Sequence, residues 1–314
     1  YMLRLVLVKI YAKRKYPALD FYAEPNEGAL KQKNAALLHQ VVGIIVNNTD
    51  TTVLTICLGA KSLLEVSVYG IYMMVVNAVN QLMTSFSNGL TAGFGEVIAK
   101  NEEETLKKSY SSYEYMYFVI MFIVIACMGV LILPFVGVYT INLTDVQYVR
   151  PVLGILFTLI VFMQNVRIPG LTIICAAGHY KETRYQAILE AVINITVSLG
   201  LVWKFGMAGV LLGTVCSYGY RSFEIVFYTS RHLVKGCAKK SMFRILRNVF
   251  TVAILCTVGT YVIPQEITSF TTWFLYAIGM GLTSVFLVVV INYVVEPDEF
   301  MQLRHRVNDI IKKE

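Results

Sequence analysis

Apolar residues along this chain gather in runs of about 20 or more, the length that carries an α-helix across a hydrocarbon core. Eight such runs predict whole spans at 34–58, 67–95, 114–138, 151–176, 185–203, 207–228, 247–263 and 271–294. The second is long enough to tilt or to protrude from the bilayer. Most of these runs are not apolar all round. In the first, His39, Gly43, Asn47 and Asp50 recur at steps of three and four, which puts them on one helix face. The second carries Asn77, Asn80 with Gln81, Thr84 and Asn88. The fourth holds Gln164 and Arg167, followed by Pro169 and Gly170, a pair that can bend or open a membrane helix. Gln186, Glu190, Asn194 and Ser198 repeat every fourth residue in the fifth, and Thr214, Ser217, Arg221 and Glu224 share a face of the sixth.

A carboxylate at mid-membrane costs at least about 2.5 kcal/mol, so Asp50 should face protein or water rather than lipid. The polar faces together predict that five of the first six helices line one hydrated cavity. The last two spans have almost no polar residue before Asn292, which predicts a peripheral, lipid-facing hairpin. The expected fold is therefore an all-α polytopic membrane protein, with a six-helix amphipathic unit and an accessory two-helix hairpin. The corresponding segments are 1–33 (the end of a preceding helix and a loop), 34–230 (the six-helix lobe), 231–294 (a loop and the hairpin) and 295–314 (a tail). In that tail Pro297, Asp298 and Glu299 suit a helix start. Phe300, Leu303, Val307 and Ile310 then give it the apolar face of a surface-lying helix.

Composition agrees. Of the 314 residues 56% are hydrophobic and 15% charged, with a mean hydropathy of +0.62; a soluble domain carries about a quarter charged. The net charge of +7 is topogenic rather than a sign of nucleic-acid binding. Of the 27 Lys and Arg, 21 lie in segments 9–33, 100–108, 181–184, 231–247 and 304–313, against Lys61, Arg150 and Lys204 in the alternate loops. Such an imbalance predicts that the loop before residue 34 and the C-terminus are cytoplasmic, beside anionic lipid. The six cysteines are dispersed in apolar runs with no CxxC and no Cys/His cluster, as small packing residues are. Hence no metal or other cofactor is expected. The sequons at Asn47, Asn142 and Asn194 carry no weight, since two of them fall inside spans. "YMLRLVLVKIYAKRKYP" reads as the tail of a membrane helix entering a basic loop, so the protein is expected to continue upstream. No HExxH, GxSxG or phosphate-binding loop stands out, and no outer connection could hold a catalytic domain. The chain is not expected to be an enzyme, and any transport should draw on ion gradients, membrane potential or mass action.

Several stretches carry a family resemblance: "YAKRKYPALDFYAEPN", "LLHQVVGIIVNNTDTTVLTICLG", "YGIYMMVVNAVNQLMTSFSNGLTAGFGEVIAKNEEE", "QNVRIPGLTIICAAGHYKETRYQAILEAVINITVSL" and "KFGMAGVLLGTVCSYGYRSFEIVFY". In order and spacing they resemble the Wzx-type polysaccharide flippases, exporters of lipid-linked oligosaccharides. That family's superfamily also holds MATE drug antiporters and the lipid II flippase. The turn at Gly178, Lys181 and Thr183 and the "GMAGVLLGT" helix start are the most specific parts. The resemblance implies a C-terminal six-helix lobe plus accessory pair, with a partner N-terminal lobe upstream and the site between the lobes. It implies flipping of undecaprenyl-pyrophosphate-linked oligosaccharide across the bacterial plasma membrane by alternating access, for cell-surface polysaccharide biosynthesis. Candidate cavity residues are Asn47, Asp50, Asn77, Asn80, Gln81, Gln164, Arg167, Asn194 and Arg221. The neutral groups suit a sugar, and the two arginines suit a pyrophosphate. Asp50 would take a coupling H⁺ or Na⁺, or a sugar hydroxyl. The alternatives are a cation-coupled, MATE-like exporter of small amphiphiles and a non-transporting membrane scaffold.

Overall fold

A computed structural model describes residues 2–17, 32–88, 90–264, 266–301 and 304. It divides into two units, Tyr1–Asn34 and Ala35–Glu314. In the first unit α1 (Met2–Lys15) has no buried residue and ends on Lys13, Arg14 and Lys15. Those cations suit the negative end of the helix dipole.

The second unit is built from helices, with no strand among the described residues. It comprises α2 (Lys33–Cys57, entering from the first unit), a 3₁₀ turn at Gly59–Lys61, α3 (Ser62–Ser87), α4 (Leu90–Ala99), α5 (Glu103–Tyr139), α6 (Pro151–Val166), α7 (Ile168–Ala176), α8 (Arg184–Phe205), α9 (Met207–His232), α10 (Ala238–Val262) and α11 (Phe270–Val295). Among the described residues six helical segments are long and apolar enough to cross a membrane: Gly59–Ala99, Glu103–Tyr139, Pro151–Ala176, Arg184–Phe205, Ala238–Val262 and Phe270–Val295. The chain is thus a multi-pass, all-α membrane protein. The expectation of eight spans is met in length but not in apolarity. α2 and α9 have 25 and 26 residues, yet their polar stripes keep them below the apolarity of a lipid-facing span.

The expected boundaries shift in three helices and the fourth span breaks where expected, each for a local reason. The expected 67–95 helix is interrupted, because Asn88 is extended (ψ 131°) and α4 restarts two residues on. The fourth span bends at Arg167 as Pro169 predicts. Pro169 has no N–H to give the Asn165 carbonyl and its ring crowds that group, so the ladder resumes with Leu171 N–H donating to the Arg167 carbonyl at 2.9 Å. α5 and α10 begin eleven and nine residues earlier than expected, because both helices run on past the apolar stretch into charged sequence.

The tightest helix pairing is α8 on α9. Gly206 makes the turn between them with φ 57° and ψ −134°, a conformation open in practice only to glycine. Gly213 then lets the backbones close: a Cβ there would lie 2.1 Å from Ser198 Oγ. One hydrophobic core runs from α2 and α3 through α5 and α6 to α9. A smaller one, with Ala126, Val130, Leu255 and Met280, joins α5 to α10 and α11.

The α10–α11 hairpin is less bland than the sequence suggests. It exposes Phe250, Tyr261, Phe274 and Phe286, as a peripheral hairpin should, but α10 buries Ser241, Arg244, Asn248 and Thr251. Arg244, 1% exposed, pairs with Glu114 of α5 at 3.1 Å and Glu296 at 3.0 Å. Arg247 reaches Glu296 at 2.8 Å and Asn292 at 2.5 Å. A helix does begin at 297 as Pro297 predicts, and Phe300 packs edge-on against Tyr293. Leu303, Val307 and Ile310 lie outside the described residues.

Candidate functional site

α2 carries the predicted stripe and turns it inward. His39, Gly43 and Asn47 line a cavity of about 410 Å³ whose other walls are the α6–α7 bend, α8 and α9. Gln164 and Arg167 enter from the bend, Glu190 from α8, and Tyr218 and Arg221 from α9. Arg167 is placed there by the helix break itself, since it is the residue between α6 and α7.

The charged groups form one network. Glu190 accepts from Arg167 Nη1 at 2.5 Å and lies 3.6 Å from Arg221 Nε. Arg221 also pairs with Glu224 one turn along α9. The Arg167 guanidinium stacks on the Tyr218 ring, 4.5 Å from its centroid, and the Tyr218 hydroxyl donates to Asn47 Oδ1 at 3.1 Å. Also on the lining, His39 Nε2 lies 2.9 Å from the Tyr180 carbonyl and 3.3 Å from Thr183 Oγ1. The cavity lining therefore holds two guanidinium groups against one carboxylate. Glu190 spans both arginines, so it is the group an incoming anion would compete with.

One turn deeper lies a second polar layer. Asp50, 4% exposed, accepts from Thr214 Oγ1 at 2.7 Å and from the Tyr69 hydroxyl at 3.3 Å. It has no cationic partner among the described residues. Asn194 Nδ2 donates to Thr214 Oγ1 at 3.1 Å and reaches Ser217 Oγ at 3.4 Å, and its buried Oδ1 accepts nothing. Thr214 Oγ1 thus joins the two, donating to Asp50 and accepting from Asn194, in a buried layer whose carboxylate has no cationic partner among the described residues.

The single cavity expected from five polar faces is not what forms. Asn47, Gln164, Arg167 and Arg221 do meet around one space, with Asp50 and Asn194 directly beneath it. On α8 and α9 the stripes largely face each other: Asn194 and Ser198 are spent on Thr214, Ser217 and the Val210 carbonyl. The α3 stripe splits. Asn80 Nδ2 donates to Gln164 Oε1 at 2.9 Å, and Asn80 Oδ1 accepts from Asn165 Nδ2 at 2.9 Å. Asn165 Oδ1 accepts from the Tyr117 hydroxyl at 2.8 Å. Asn77 and Gln81 are exposed and line none of this: Asn80 is at the edge of the stripe that meets α6, and its neighbours on the stripe lie beyond that contact. Tyr218, Asn165 and Tyr117 were not among the expected site residues. Tyr218 sits three residues before Arg221, so helical spacing alone would have put the two on one face.

No family model and no curated protein matches the chain.

Proposed function

We propose that this protein moves a negatively charged, sugar-bearing lipid across the membrane, and that the cavity between α2, α6–α7, α8 and α9 receives its head group. The substrate in this reading is an undecaprenyl-pyrophosphate-linked oligosaccharide and the membrane is the bacterial plasma membrane. One observation carries the proposal: two guanidinium groups held by a shared carboxylate, at the wall of a cavity that α2 and α9 form with two of the membrane-crossing segments, Pro151–Ala176 and Arg184–Phe205. Buried charge of this kind is expensive and marks substrate or ion pathways.

The chemistry follows from the pairing. Arg167 and Arg221 present planar forks suited to phosphate oxygens, and a pyrophosphate can displace Glu190 from them without leaving either cation unpaired. Asn47, Gln164 and Tyr218 offer neutral hydrogen bonds to sugar hydroxyls. The polyprenyl tail stays in lipid. Asp50, close below, takes a coupling H⁺ or Na⁺, and its link through Thr214 to α9 ties cation occupancy to the helix that carries Arg221. Outward movement of an anion also gains about 2.3 kcal/mol per charge per 100 mV when the inside is negative.

A second reading, a cation-coupled exporter of small cationic amphiphiles, draws on Asp50 and Glu190. Binding separates the two. Purified protein should bind a polyprenyl-pyrophosphate oligosaccharide more tightly than its uncharged polyprenol counterpart, and Arg167→Ala should remove the difference. Preference for a cationic amphiphile, undiminished in Arg167→Ala, would favour the exporter.

A further inference from the structure

Gln164 lines the cavity, and a chain of side-chain amides behind it decides which end of its own amide is left free. The chain starts from a fixed point. Asn165 Nδ2 donates to the Val161 carbonyl, one turn back, at 2.8 Å, and a backbone carbonyl can only accept. The Asn165 amide is therefore oriented, with its nitrogen on that side and its Oδ1 taking the Tyr117 hydroxyl proton at 2.8 Å. The second proton of Nδ2 goes to Asn80 Oδ1 at 2.9 Å. Asn80 must then turn its Nδ2 toward Gln164, and the atom it meets at 2.9 Å must be the acceptor, Oε1. Asn165 and Tyr117 are buried, so at the anchored end water does not compete for these bonds.

What remains of Gln164 is Nε2, which has no partner among the described residues and is not shut away from free space. Arg167 lines the same cavity three residues on. Asn47 is turned the same way: its Oδ1 accepts from the Tyr218 hydroxyl, and its Nδ2 is the end left without a partner among the described residues. The free polar ends beside the two guanidinium groups are thus donors. A hydroxyl meets a fixed donor only when its own proton is turned away, whereas a phosphate oxygen accepts however it turns. An amide free to flip would offer its carbonyl oxygen to the anion as readily as its N–H, and the chain through Asn80 prevents that. We propose that Gln164 is a specificity-determining residue of this cavity, held as a hydrogen-bond donor toward a phosphate oxygen of the head group, and that Asn80 and Asn165 are the positioning residues that hold it so. The inference rests on the anionic-lipid reading above.

The test measures binding of two probes, farnesyl pyrophosphate and farnesol, to the full chain in lipid nanodiscs. Wild type should prefer the pyrophosphate. Gln164→Leu should weaken pyrophosphate binding about tenfold and leave farnesol unchanged. Asn80→Leu should weaken it about fivefold, yet the Asn80→Leu/Gln164→Leu pair should be no weaker than Gln164→Leu alone, because Asn80 acts through Gln164. Gln164→Glu still accepts from Asn80 but turns an oxygen to the cavity, so it should bind the pyrophosphate more weakly than Gln164→Leu does. A merely structural Asn80 would lower binding of both probes, or lower it equally in both backgrounds. That result, or full pyrophosphate binding in Gln164→Leu, would overturn the proposal and leave the anionic-lipid reading standing. A wild type that binds the two probes alike would overturn both.

Discussion

Arg167 and Arg244 are both membrane-protein arginines paired with buried glutamates, yet they sit in opposite surroundings. Arg244 is closed in. Glu114, Glu296 and Glu299 surround it, and the Ser111 carbonyl and hydroxyl take its remaining protons. Arg167 has one carboxylate, one aromatic face and an open wall, with 15% of its side chain exposed against 1% for Arg244. Burial and ion pairing alone therefore do not mark a functional arginine. In the proposed function the distinguishing feature is an unsaturated guanidinium facing free space, because only there can a ligand oxygen replace a protein one.

The largest effect should come from breaking the closed network. Arg244→Met leaves Glu114 buried without a cation and Glu296 with Arg247 alone, a loss of about 3–5 kcal/mol. Little folded protein should reach the membrane, as measured by detergent-solubilised monomer yield and thermal unfolding. If Arg244→Met folds normally while Arg167→Ala does not, the comparison is reversed.

Asp50 sharpens it next. Asp50→Asn keeps the size and the Thr214 hydrogen bond but removes the charge. Cation-driven accumulation should fall by more than about tenfold, with folded yield held, as measured by transport with and without an imposed H⁺ or Na⁺ gradient. Unchanged gradient dependence would confine Asp50 to a structural or sugar-binding part.

The two faces of α3 offer a milder contrast. Asn80→Ala removes the link between Gln164 and Asn165 and should cost about 1–2 kcal/mol of stability. Asn77→Ala and Gln81→Ala should stay within about 0.5 kcal/mol. Unfolding midpoints of the three variants decide it.

Helical periodicity in the sequence reached a good part of this arrangement. The α2 stripe, the bend at Arg167 and the meeting of Gln164, Arg167 and Arg221 were all legible, because a three- and four-residue spacing fixes a shared face and a proline fixes a break. Which face meets which was not. Spacing puts Glu190 and Asn194 on one stripe, but nothing local says that Glu190 opens on the cavity while Asn194 closes against Thr214. The α10 network was missed for another reason. Lys239 to Arg247 read as a basic loop outside the membrane, while in fact the helix runs straight through them. The acids that neutralise Arg244 come from residues 114, 296 and 299, far away in the chain.

The smallest expected effect is one of pH. Burial pushes the Glu299 carboxyl up, but hydrogen bonds from Lys240 and Ser111 and the nearby Lys240 and Arg244 charges outweigh it and hold it below its ordinary 4.5. A carboxyl whose folded value is depressed stabilises the fold above its unfolded value, and that contribution fades as pH falls through the folded one. The contact between the helix that begins at 297 and α10 should therefore be intact at neutral pH and weaken only below about pH 4.5. Hydrogen exchange at residues 297–301 should show this, and Glu299→Gln should abolish the pH step. A step near neutral pH would point to a different group.

In the proposed function Arg167 meets the substrate's phosphate. The most direct measurement of that contact is the rate at which lipid-linked oligosaccharide reaches the outer leaflet, per folded molecule, for wild type, Arg167→Lys and Arg167→Ala. The rate should fall about tenfold for Arg167→Lys, which keeps charge but loses the planar fork, and about a hundredfold or more for Arg167→Ala, with folded yield preserved in both. Wild-type flux per folded molecule in Arg167→Ala would contradict the phosphate contact.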